Sequence, residues 1–132
     1  MRKFLHNFFS NPAWDNQGKF AWLLNREASP DACAIDGVPP EIVDAALHLF
    51  CHAFDIPDAQ RFCLRPSDRV QDIYLAMVNG LHDDLEYERL AMNIDKLIAR
   101  KVSQQKIQNF ITVEDVIRFV FKNIGAGHAT GK

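Results

Sequence analysis

The stretch HDDLEYERLAMNIDKLI, residues 82–98, reads as one amphipathic helix with a marked start. Asp83 and Asp84 carry short carboxylates able to accept hydrogen bonds from the free N–H groups of a first turn. Glu86, three residues after Asp83, completes a capping-box-like pattern. Tyr87, Leu90, Ala91, Ile94, Leu97 and Ile98 recur at three- and four-residue steps, which predicts a buried stripe. The polar face carries Glu86, Glu88, Arg89, Asn93, Asp95 and Lys96. A helix with one apolar face needs neighbours to cover it, and the segments on both sides supply them.

Upstream, residues 41–54 (EIVDAALHLFCHAF) predict a helix with a broad apolar face made by Ile42, Val43, Ala46, Leu47, Leu49, Phe50, Ala53 and Phe54. Pro39 and Pro40 precede it, and proline suits a first helical position because its missing N–H would be unpaired there anyway. Asp55, Ile56, Pro57 and Asp58 break the pattern, and Phe62, Cys63 and Leu64 read as inward residues of the loop that follows. Ser67 or Asp68 is positioned to cap a further helix through Val70, Ile73, Tyr74, Met77 and Val78, with Asn79-Gly80 as its stop.

Downstream, residues 101–110 are polar, with room for a short turn around Val102 and Ile107. Thr112 and Asp115 then form a capping box, and Ile111 is placed to staple against Val116. Val113, Val116, Ile117, Val120, Phe121 and Ile124 make the inner face of a closing helix. Gly125 is expected to stop it, with Lys122 near its end favoured by the helix dipole and GAGHATGK as a frayed tail. The fold class expected is therefore all-α, a bundle of non-parallel helices over residues 40–132.

Residues 1–39 read as an N-terminal extension and linker. Phe4, Phe8, Phe9, Trp14, Phe20 and Trp22 crowd its first part, expected to pack on the domain or on a second copy as a homodimer contact. Residues 26–40 are punctuated by proline, glycine and aspartate and read as a loop. The start MRKFLHNFFSNPAW is basic and partly apolar, but polar residues interrupt it and no small-residue cleavage site follows, so a secretory signal is not expected.

The chain has 132 residues, and 48% of them are hydrophobic, enough for one domain with a real core. A net charge of -2 argues against a nucleic-acid protein held by a strong positive field, and the loose basic set Lys96, Arg100, Lys101 and Lys106 does not change that. No apolar run approaches the length of a membrane span. Cys33, Cys51 and Cys63 form no C-x-x-C pair, which favours reduced thiols and a cytoplasmic location.

Between residues 40 and 122 the chain resembles a divergent acyl carrier protein. That family opens its second major helix with Asp-Ser-Leu, and here Asp83-Asp84-Leu85 stands in that place, followed by Glu86 and the run Leu90-Ala91-Met92 with Ile94. Its closing helix begins after an Ile-Thr-Val-like entry, matched by Ile111-Thr112-Val113. Residues 42–64 resemble its first helix and exit loop. The resemblance implies a carrier-like bundle with an interaction patch at Asp83, Asp84, Leu85, Glu86 and Glu88, facing a protein partner with a basic surface. Phosphopantetheine attachment needs a hydroxyl, and Asp84 occupies the serine position, so the expectation is a non-enzymatic protein without that arm or any other cofactor. The alternatives are a carrier for fatty acid or polyketide-type synthesis modified at another serine (Ser10, Ser29, Ser67 or Ser103) and a small metal-binding helical protein.

That last alternative rests on His48 and His52, four apart on one helix, a spacing that puts both imidazoles on one face. Spacing assigns no third ligand, so no metal is expected and the pair reads as part of a solvated face. Cys51 lies beside the apolar face, where burial keeps a thiol protonated.

Overall fold

The computed structural model describes residues 23, 25–76 and 85–131, with side chains through Ile124. From Pro40 onward the described residues form five α-helices: α1 (Pro40–Ala53), α2 (Val70–Leu75), α3 (Leu85–Ile98), α4 (Gln104–Gln108) and α5 (Val113–Gly131). Two 3-10 turns, Asp31–Cys33 and Asp58–Cys63, flank α1. Among the described residues there is no strand, only one isolated antiparallel bridge between Arg69 and Thr112. The fold is all-α, as the periodicities predict.

Helix α1 starts at Pro40 with Pro39 as its N-cap residue in an extended conformation. It ends where Asp55 takes a positive φ of 60°, and the Ile56 N–H returns to the Cys51 carbonyl at 2.9 Å. That reverse bond supplies a donor to a carbonyl otherwise left open at a helix end. Arg89 on α3 donates to the Ala53 carbonyl, and the Asn93 amide donates to the Leu49 carbonyl at 3.1 Å. Residue 89 meets 53 and residue 93 meets 49, so α1 and α3 run antiparallel.

The core lies between α1, α3 and α5. Leu47, Phe50 and Phe54 from α1 and its exit, Leu90 and Ile94 from α3, Ile107 from α4, and Val116, Ile117 and Val120 from α5 are all buried in one cluster. Phe50 and Phe54 stack with centroids 4.6 Å apart, and Tyr87 meets Phe54 edge-on at 5.9 Å. The stripe read on residues 82–98 is thus the face α3 turns inward, although Leu97 is only partly buried.

Several local expectations change in three dimensions. Residues 26–40 are no free linker: Cys33, Ile35 and Val38 join the core, as does Leu23. Arg26 ties this segment down by a two-pronged ion pair to Asp68, both contacts at 2.8 Å. Asp68 therefore does not cap α2, whose N-cap Arg69 has no side-chain cap bond. It accepts instead from Arg26 and from the Arg65 N–H at 2.8 Å. The aromatics of residues 1–22, Asp83, Asp84 and the 77–80 end of the expected helix lie outside the described residues.

The closing helix keeps its capping box. The Thr112 hydroxyl accepts from the Asp115 N–H at 3.3 Å, and an Asp115 carboxylate oxygen accepts from the Thr112 N–H at 3.0 Å. Ile111 stays 60% exposed, so the expected staple onto buried Val116 is not closed. The reason is the bridge to α2: the Ile111 carbonyl accepts from Val70 N–H at 2.9 Å, which orients this residue by its backbone. The helix does not stop at Gly125 but continues to Gly131, which leaves Lys122 inside the helix rather than near its end. The turn expected within residues 101–110 is α4, capped by Ser103, with Val102 and Ile107 buried.

Thr112→Ala removes the capping hydroxyl but leaves Asp115 in place. It is expected to cost about 1 kcal/mol, read as a lower urea midpoint with an unchanged slope. An unchanged midpoint would show that the bridge alone holds the start of α5.

Candidate functional site

Two surfaces bear on function, and α3 contributes to both. Its outward face carries Leu85, Glu88, Met92 and Lys96, which recur at helical spacing and are all exposed. Leu85 is 45% and Met92 56% exposed, large values for apolar side chains. An exposed leucine or methionine on its own is ordinary, but two on one helical face, either side of Glu88, make a compact amphipathic surface. Of the five residues expected to form an interaction patch, the structure places Leu85 and Glu88 outward. Asp83 and Asp84 are not described.

Glu86 departs from the polar face read in the sequence. It is only 6% exposed, and its Oε1 has no hydrogen-bond partner among the described residues. It sits one position before Tyr87 and four before Leu90, both buried, so its place on the helix turns it toward the core rather than the patch. Its capping pattern with Asp83 suggested an exposed first turn, whereas the packing of α3 rotates this residue inward.

The second surface is a groove of about 610 Å³ between α1, α3 and the 3-10 turn Asp58–Cys63. Glu41, Asp44, Ala45, His48, Leu49 and His52 line it from α1. Those positions recur at three- and four-residue steps, so one helical face supplies them all. Asn93, Lys96 and Leu97 form the opposite wall, and Arg61 closes the side. The floor is apolar and the rim charged.

The rim is wired. His48 Nδ1 lies 2.7 Å from an Asp58 carboxylate oxygen. Arg61 donates to Asp44 at 2.7 Å and to Asp58 at 3.0 Å, so one guanidinium joins two carboxylates. The hydrogen bond that Arg61 donates to Asp44 raises the Arg61 pKa and secures its charge. On the other wall, Asn93 Nδ2 lies 3.1 Å from His52 Nδ1 while also donating to Leu49. His48 and His52 therefore share a groove, as their spacing predicts, and each is anchored to a different wall. Arg61 was not apparent as a member from the sequence, because only the turn after α1 brings it back alongside Asp44.

The three cysteines are buried and free. Burial pushes all three thiols up from their ordinary value, Cys51 most of all. A protonated thiol is a poor nucleophile, so burial works against reactivity at all three. Among the described residues, no group of three His, Cys, Asp or Glu side chains is arranged to hold a metal ion, and no helix is long and apolar enough to cross a membrane.

No family model matches this chain, and neither a curated protein nor a solved structure matches it.

Proposed function

We propose that this is a non-enzymatic, acyl-carrier-like helical protein that lacks the phosphopantetheine arm and works by protein–protein contact through the start and outward face of α3. The observation that carries the reading is the pairing of exposed Leu85 and Met92 around Glu88 on the helix that follows Asp83-Asp84-Leu85. The order of the described elements is compatible with it, apart from the additional helix α2: a long helix, a 3-10 turn, α2, a second long helix, a short helix and a closing helix. Asp84 offers a carboxylate where attachment of the arm needs a hydroxyl. The partner that fits is a protein surface with an apolar seat for Leu85 and Met92 and basic side chains opposite Glu88.

Two measurements test the reading. Intact mass after incubation with coenzyme A and a permissive phosphopantetheinyl transferase is expected to stay unchanged, and a gain of one phosphopantetheine would overturn it. Leu85→Glu combined with Glu88→Lys is expected to weaken partner capture by about tenfold or more, because central apolar anchors dominate interface energy. Both side chains are exposed, so the variant retains the native melting curve. Capture that survives the double substitution would move the contact to another face.

A further inference from the structure

We propose that His48 and His52 form a two-imidazole chelate for a late divalent transition ion, Cu²⁺ ahead of Zn²⁺ and Ni²⁺, seated in the groove between α1 and α3. The first support is position. The two side chains lie one helical turn apart on α1, line the same groove and are exposed. Imidazoles four apart on a helix share a face, and imidazole nitrogen suits this group of metals rather than Mg²⁺ or Ca²⁺.

The second support is the way each ring is held. Metal-binding histidines use one ring nitrogen for the ion while the other is fixed by a hydrogen-bonding group behind it. Here the His48 Nδ1–H donates to the Asp58 carboxylate, the arrangement a ligating histidine uses, whereas His52 Nδ1 accepts from the Asn93 amide. Asp58 belongs to the 3-10 turn on one side of α1, and Asn93 belongs to α3 on the other. The two ring nitrogens lie on opposite edges of an imidazole. Holding His48 Nδ1 to Asp58 therefore leaves its Nε2, across Cε1, as the ring nitrogen open to an ion. Among the described residues, no protein group bonds to either Nε2.

The third consideration is charge. A cation entering this groove meets Glu41, Asp44 and Asp58 as well as Arg61 and Lys96. Arg61 is already paired with Asp44 and Asp58. Lys96 opposes the ion, and Glu41 at the other end of the stripe offsets it. Two histidines do not fill a coordination sphere, so water completes it, which places the affinity below that of a closed structural site.

His52 carries a specific requirement. Asn93 Nδ2 donates to both Leu49 and His52 Nδ1, so the free protein holds the His52 proton on Nε2. Ligation through Nε2 moves that proton to Nδ1, which the Asn93 amide, held as a donor to the Leu49 carbonyl, does not accept, so His52 gives up this contact when it binds the ion.

Calorimetric titration of the full chain with CuSO₄ and with ZnCl₂, with MgCl₂ for comparison, tests the proposal. One Cu²⁺ or Zn²⁺ per chain is expected, and no Mg²⁺. The chain has five histidines, so a variant with His6, His82 and His128 replaced by alanine is expected to keep the site. His48→Ala and His52→Ala are each expected to lose it, with melting curves showing that both still fold. Asp58→Asn, which leaves both ligands in place, is expected to weaken binding by about 10–100-fold. Failure to bind Cu²⁺ and Zn²⁺, binding that survives loss of either histidine, or an affinity indifferent to Asp58 would each overturn the proposal.

Discussion

Phe54→Ala is expected to destabilise the protein by about 3–5 kcal/mol, the largest loss from any single truncation considered. Phe54 is fully buried at the exit of α1, stacked on Phe50 and met edge-on by Tyr87 of α3. Removing the ring deletes apolar area and leaves a cavity that two helices, pinned by Arg89 on the Ala53 carbonyl, cannot easily close. Aromatic pairs add roughly 0.5–1.5 kcal/mol beyond area burial, and two such pairs are lost together. Urea unfolding of Phe54→Ala beside Met92→Ala measures the contrast. Met92 is exposed, and its truncation is expected to change stability by no more than about 0.5 kcal/mol. Equal losses in the two variants would mean that Phe54 does not join α1 to α3.

Asp68→Ala is expected to cost about 3 kcal/mol, the lower end of the range for breaking a buried ion pair by removing one partner. Its side chain is 6% exposed and accepts three bonds, two from the Arg26 guanidinium and one from the Arg65 N–H. Arg26 is more exposed than Asp68 and keeps its bond to the Cys63 carbonyl, so its guanidinium retains a partner and water, and the upper end of the range does not apply. The pair also holds the segment before α1 against the turn before α2. Loss of Asp68 is therefore expected to release Cys33 and Cys63 to thiol reagents faster than in the native chain. The pair substitution Arg26→Met with Asp68→Leu is expected to cost less than the two single losses summed, because no buried charge remains alone. Full additivity would show that Asp68 acts through the Arg65 N–H and not through Arg26.

How legible the site was in the sequence differs between its parts. The stripe Tyr87, Leu90, Ile94 and Ile98 and the box Thr112–Asp115 are local patterns, and both appear in the structure as read. The helical spacing of His48 and His52 likewise placed them on one face. What the spacing did not contain was Asp58, Arg61 and Asn93, the groups that hold that face in order. Asp58 and Arg61 reach it only because the chain turns back after Asp55, and Asn93 only when the chain returns as α3. Glu86 was misplaced for a related reason: residues in a first turn are assigned to solvent by their polarity, but the side a helix buries is set by its neighbours.

Residues 26–40 make the same point about domain limits. Their proline, glycine and aspartate content correctly predicts an irregular backbone, yet Cys33, Ile35 and Val38 are core residues. Composition reports whether a segment forms regular helix, not whether its few apolar side chains find a surface to cover. Gly125 shows the reverse: each helical glycine costs about 1 kcal/mol relative to alanine, which makes a stop the local expectation, and α5 nevertheless runs on to Gly131.

The sequence by itself determined the helical class, the starts of α1 and α5 and most of the buried faces, because hydrophobic period and end-capping act over three or four residues. The tertiary structure alone decided which wall anchors each histidine, why Asp68 binds Arg26 instead of capping a helix, and why Glu86 is buried. Those outcomes depend on contacts across a chain reversal, ten positions for His48 and Asp58 and more than forty for His52 and Asn93 and for Arg26 and Asp68, or on how a whole helix is rotated in its packing, and no local pattern encodes either.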